Sequence, residues 1–164
     1  MRNSIVFVLI LLAGISHAQL FQKGGNYISA GLGSDPLNRG FITAGFVGGY
    51  EKGVTDVIGI GRIGAGGMVG FFYEDNRNNL NYLAQSGFRF SLALRATYHF
   101  DLAIDKTDVY AGLAGVIHAG SVSAFRPDPG IFGGIRYFFK DNIAAYAEVG
   151  YGLCILQGGL VYSF

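Results

Sequence analysis

Residues 88 to 100 carry the strongest constraint in the chain, because they sort by parity. Even positions hold Phe88, Phe90, Leu92, Leu94, Ala96, Tyr98 and Phe100; odd positions hold Arg89, Ser91, Ala93, Arg95, Thr97 and His99. Successive side chains of a β-strand point to opposite faces, so this period of two predicts a strand with one apolar face and one largely polar, charged face. At about 3.3 Å per residue and a tilt near 40°, such a strand rises roughly 30 Å, the thickness of a bilayer's hydrocarbon layer. That length suits a strand of a membrane barrel.

The N-terminus predicts export. Arg2 supplies a positive start, residues 5–13 form an apolar run, and Ser16-His17-Ala18 ends in small residues at signal-peptidase spacing. The run is about half the roughly 20 residues a spanning helix needs, so residues 1–18 read as a cleaved signal peptide and 19–164 as the mature domain. No Cys follows the cleavage point, so a lipid anchor is not indicated. Cleavage removes one of the 12 basic side chains and none of the 11 acidic ones, leaving no net charge and no nucleic-acid footprint. The one cysteine, Cys154, excludes an intramolecular disulfide and reads as a packed or loop residue rather than a reactive thiol.

With 14 Phe, 10 Tyr and 27 Gly but only three Pro, and no long apolar run after residue 18, the mature chain predicts an all-β barrel rather than a helical membrane protein. Alternation and turn residues place eight strands at 26–33, 41–50, within 57–73, 88–100, 108–118, 131–139, 143–151 and 155–164. The third is blurred by glycines that could hide a bulge. Polar connections fall at 34–40, 74–87, 119–130 and near Gly152 on one end, and at 51–56, 101–107 and 140–142 on the other. In outer-membrane barrels outer loops exceed periplasmic turns, and 74–87 and 119–130 do exceed every turn. A three-residue loop at 140–142 would pair Phe139 with Ile143 and put Arg136 diagonally across from Glu148. An even-length last loop would set Gln157 beside Glu148.

The export signal, the eight amphipathic strands, the segment Ala147-Glu148-Val149-Gly150-Tyr151-Gly152 and the ending Gly158-Gly159-Leu160-Val161-Tyr162-Ser163-Phe164 resemble the small outer-membrane β-barrel proteins of Gram-negative bacteria. That superfamily includes the OmpX-like proteins and the OmpA membrane domain, and the resemblance spans the mature chain. It implies a single antiparallel up-and-down eight-stranded transmembrane barrel in the cell outer membrane, monomeric, with outer-membrane lipid as its surroundings. It also implies that Leu160, Tyr162 and Phe164 form the signal read by the barrel assembly machinery. The chain lacks Trp, so Phe and Tyr would have to form the interfacial girdles.

Apolar faces turned outward place Arg89, Arg95, His99, Arg136, Glu148 and Gln157 in the lumen, with Arg62 joining them if its strand keeps the same register. An Arg on the lipid face at mid-bilayer costs about 2–4 kcal/mol, whereas a lumen can hydrate or pair it. An eight-stranded barrel is barely wider inside than its side chains, so these groups read first as a filling network; a narrow anion-favouring channel for small solutes is the alternative, since basic residues outnumber Glu148 there. A soluble barrel with apolar side chains inside is the rival architecture. A lipid-modifying enzyme would need a nucleophile, base and acid; His118 and Ser121 are the nearest pair, and no acid has a sequence-defined place beside them, so no catalysis is expected. Two mature histidines without ligand spacing predict no metal, and the glycines of 59–67 lack the strand, loop and helix context of a nucleotide site, so no cofactor is expected. The expected role is structural or surface-interacting, carried by extracellular loops 74–87 and 119–130.

Overall fold

The computed structural model describes residues 21–34, 42–75, 86–121 and 125–164. They form eight strands: β1 (Asn26–Ser34), β2 (Ile42–Gly53), β3 (Gly61–Asp75), β4 (Gly87–Phe100), β5 (Thr107–Gly120), β6 (Arg126–Lys140), β7 (Ile143–Tyr151) and β8 (Leu156–Ser163). Each pairs antiparallel with its neighbour in sequence, and β8 returns to β1 from Tyr27↔Ser163 to Ser34↔Leu156, closing a barrel. Closure leaves no strand edge with unpaired N–H and C=O groups, which is how an all-β chain avoids edge-to-edge association. The chain is therefore an all-β, up-and-down eight-stranded barrel.

The expected segment 1–18 lies outside the described residues, as do most of 34–40 and 74–87 and residues 122–124. Ser34, Glu74, Asp75 and Gly87 belong to strands rather than loops.

The glycine-rich third strand runs fifteen residues in unbroken register against both neighbours. Its glycines make room inside rather than marking a bulge: a Cβ at Gly64 would lie 2.7 Å from Thr97 Oγ1 and 2.8 Å from the Phe21 ring. The one irregularity in the β6–β7 ladder falls at Phe139, where Lys140 pairs with Ile143 while Phe138 pairs with Ala144. The expected parity holds through the ladder, but the loop is two residues with a bulge beside it, not three residues.

Two boundaries differ from expectation with consequences for the interior. β2 continues into the expected 51–56 turn as far as Gly53, and β6 begins at Arg126 rather than after Pro129. Pro127 and Pro129 are tolerated because here β6 has outrun β7 and borders only β5, so a missing N–H removes no bond on its open side. The connection between β5 and β6 shrinks to 121–125. It is then shorter than the 54–60 turn, and of the two long outer loops only the one between β3 and β4 exceeds every turn.

Sidedness follows the parity of β4. Leu94 is 72% exposed and Phe46 73%, while Ser91 and Phe72 have no exposed surface. The outer face carries Tyr50, Tyr98, Tyr137 and Tyr162 near the short-turn end and Phe71, Tyr73, Phe88 and Tyr151 near the other. Val69, Leu92, Leu94, Leu113, Ile131 and Leu160 lie between these two aromatic rings. Apolar side chains are outside and charged ones inside, the reverse of a soluble barrel.

Candidate functional site

The interior is the only place where this chain concentrates chemistry among the described residues, and its strands deliver charges to it by alternation. Near the short-turn end, Glu51 from β2, His99 from β4, Asp108 from β5 and Arg136 from β6 converge. His99 Nδ1 lies 2.9 Å from Asp108 Oδ1 and its Nε2 3.1 Å from Glu51 Oε1. Only an imidazolium has N–H donors for both carboxylates. Arg136 pairs with Glu51 and stands 3.6 Å from Asp108 Oδ2, and Thr97 donates its hydroxyl to Glu51. Two carboxylates, a guanidinium and an imidazolium thus compensate one another in a site where an unpaired charge would be costly.

The chain preceding β1 seals this end. Phe21 stacks on His99 with ring centroids 3.5 Å apart and on Tyr27 at 4.8 Å. Arg62 donates to the Phe21 carbonyl at 3.3 Å and lies 3.6 Å from Asp101. Phe21, Tyr27, Phe138, Ala144, Tyr146 and Val161 form one apolar layer.

Midway along the barrel, Arg95 bonds Glu148 at 2.6 Å, Tyr110 donates its hydroxyl to the same carboxylate at 3.1 Å, and Gln157 donates to its other oxygen. The Arg95 guanidinium lies 3.7 Å from the centroid of the Phe132 ring. Gln157 is the direct ladder partner of Glu148. Arg136 lies on the diagonal from Glu148 but turns instead to Glu51 and Asp108. Small residues accommodate these rings: a Cβ at Gly134 would sit 2.5 Å from Tyr110 Cζ.

Above this network Val47, Met68, Phe72, Ala93, Val116, Leu153 and Cys154 form a second apolar layer. It joins β2, β3, β4 and β5 to the connection after β7, so Leu153 and Cys154 reach across the lumen. Cys154 is a packing residue of this layer, 7% exposed. Beyond it, Arg89 lies 3.1 Å from Glu74 and over the Phe72 ring, and Ser86 donates to Asp75 at 3.1 Å.

All seven residues assigned to the lumen by parity, Arg62, Arg89, Arg95, His99, Arg136, Glu148 and Gln157, face inward, in separate clusters rather than one. Sequence reasoning missed their acidic partners Glu51, Glu74 and Asp108. Glu51 and Glu74 fall in segments read as turn and loop, and only the pairing of those strand ends with neighbouring strands draws them inward; Asp108 opens the expected fifth strand, and its inward face was not followed. Their presence corrects the expectation of a basic lumen, since charges of both signs line it in near balance. Extending the β2 alternation one step past Tyr50 would have found Glu51.

The His118 and Ser121 pair also resolves differently. Ser121 Oγ accepts from the Phe88 N–H at 3.1 Å, while His118 Nδ1 meets Ser91 Oγ at 2.7 Å, its direct ladder partner, with Asp128 3.7 Å from Nε2. The residue types resemble a hydrolytic triad, but the Ser91 side chain is wholly enclosed. The contact is a cross-strand tie, not a presented nucleophile.

Small voids, of about 20 Å³ beside Glu51, Arg95 and Arg136 and about 10 Å³ beside Glu148 and Cys154, have room for no more than about one water each. The terminal Leu160, Tyr162 and Phe164 are exposed on the outer face of the closing strand. No protein-family model matches the chain, and no curated protein is similar enough to serve as a relative.

Proposed function

We propose that this chain is an exported outer-membrane barrel of the small eight-stranded kind, a monomeric, plugged scaffold whose role is structural or surface-interacting. The observation that carries this reading is the inverted sidedness: a belt of exposed aliphatic side chains between two aromatic rings, around a core of paired charges. In water that belt would be an apolar patch far larger than a soluble monomer tolerates; in a bilayer it is the lipid-facing surface, with Phe and Tyr at the two interfaces. Residues 1–18 act as the export signal, and Leu160, Tyr162 and Phe164 as the assembly signal on the last strand. The connections 74–87 and 119–130 are the proposed contact surface, the second narrowed to the rim beyond His118 and Arg126.

The test is extraction and electrophoresis. The protein is expected to stay with membranes until detergent is added and to migrate differently when unheated and heated. Release into buffer as a soluble monomer overturns the reading.

The channel reading predicts a different result in planar bilayers. Two apolar layers and charge clusters paired across the lumen favour a plug, so purified protein is expected to give no discrete conductance. Steady unitary currents that change with Arg95→Ala would establish a pore instead. A lipid-modifying activity has less support, because Ser91 is enclosed; turnover of phospholipid lost on His118→Ala would be needed to sustain it.

A further inference from the structure

At the short-turn end the apolar surface does not stop at the aromatic ring. The connection 54–60 between β2 and β3 exposes Val54, Val57, Ile58 and Ile60, and the connection 101–106 between β4 and β5 exposes Leu102 and Ile104, each by 42% to 67%. The two turns touch: the Asp101 N–H donates to the Ile60 carbonyl at 2.8 Å, and the Tyr98 hydroxyl donates to the Ile58 carbonyl at 2.6 Å. They form one patch on the β2–β5 side. The third short connection, Asp141-Asn142, is wholly polar.

Most polar side chains within the patch are paired, while Asp105 stays exposed at its edge. Asp101, itself partly exposed, lies 3.6 Å from Arg62, Asp56 bonds Lys23 at 2.6 Å, and the Thr55 hydroxyl accepts from the Ile63 N–H at 2.9 Å. About half of the backbone donors are also satisfied internally: the N–H groups of Val54, Thr55, Ile58, Asp101, Leu102 and Ile104 donate to backbone carbonyls. These pairings lower the cost of placing the turns at the headgroup level of a bilayer, where the remaining open polar groups stay hydrated. The patch also continues the outer belt without a polar gap, from Phe100 to Leu102 and from Ile63 to Ile60, with Lys52 and Lys106 beside it to reach the headgroups.

We propose that these two turns form an apolar foot that enters the bilayer leaflet at the short-turn end, so that the barrel sits deeper on its β2–β5 side. The inference rests on the membrane reading above, and its occupant is phospholipid. Turns at this end would otherwise lie in water, where six clustered aliphatic side chains gain nothing.

Because the chain contains no Trp, single-tryptophan variants report one site each. Ile60→Trp, Leu102→Trp, Leu94→Trp at the middle of β4, and Asn142→Trp in the polar turn would be refolded into phosphatidylcholine vesicles brominated either near the headgroup or mid-chain. Folding is verified for each by the heat-dependent gel shift. Leu94→Trp is expected to lose most fluorescence to mid-chain bromine. Ile60→Trp and Leu102→Trp are expected to lose most to shallow bromine, with blue-shifted emission, and Asn142→Trp to lose little. Two foot variants guard against one that fails to fold. If Leu94→Trp is quenched but neither foot variant is, the foot is overturned and the patch faces water or a protein. Quenching of Asn142→Trp equal to that of the foot overturns the one-sided seating. If folded Leu94→Trp is itself unquenched, the membrane reading fails, and the foot with it.

Discussion

Replacing Arg136 with Ala is expected to cost about 3–5 kcal/mol of unfolding free energy, because it removes one partner from a buried charge cluster and strands the others. Arg136 is, with His99, a cation that Glu51 and Asp108 share, and without it two buried carboxylates face one imidazolium. Urea unfolding of the barrel in lipid vesicles, followed by the unheated gel band, measures the loss. The double change Arg136→Met with Glu51→Gln is expected to recover much of it, since replacing both sides of a buried pair leaves no orphaned charge. A cost below about 1 kcal/mol for Arg136→Ala would mean the cluster is solvated as a surface pair is, and the plugged lumen would have to be abandoned.

Gly159→Val is expected to have a comparable effect by a different route. Gly159 lies directly opposite Gly31 where β8 closes onto β1. A Cβ there would overlap the Ala30 carbonyl oxygen and come within 2.5 Å of Gly31 Cα. Both obstacles are backbone, so relief requires parting the strands at the seam. Overpacking costs about 1–3 kcal/mol in an ordinary core, and here it also weakens the ladder that makes the barrel closed. The folded, heat-sensitive band should diminish or vanish. Gly115→Ala, where an added Cβ meets nothing within 4 Å, should stay within about 0.5 kcal/mol of the parent. Equal behaviour of the two variants would show that the seam tolerates separation.

The contrast between these sites marks how far the chain could be read before its structure. Eight strands and their order were legible because alternation is local: each side chain's face is set by the residue two positions away. β7 matched its expected bounds, and β4 differed by Gly87 alone. Strands were harder to delimit where local signals conflicted with pairing. Arg126-Pro127-Asp128-Pro129 has the composition of a loop, yet it lies in β6 because β5 runs long enough to pair with it. Glu51 resembles a turn residue, yet β1 and β3 hold it in a strand.

The sequence by itself determined that each strand has one charged and one apolar face, with Arg and Glu on one side and Phe, Leu and Tyr on the other; which face turns inward was decided by the closed barrel, where the charges find partners across the lumen. The sequence also nominated the cations of the charged face, because parity needs no knowledge of neighbours. Only the tertiary structure decided which charge meets which. Glu51 and Arg136 are 85 positions apart, and Arg95 and Glu148 are 53. Such pairs form across the lumen between strands that share no ladder, so their partners depend on the tilt and circumference of the closed barrel. The same closure brought Leu153 and Cys154 over the lumen and laid the 54–60 and 101–106 turns side by side. Those are contacts between distant segments, and no local pattern encodes them.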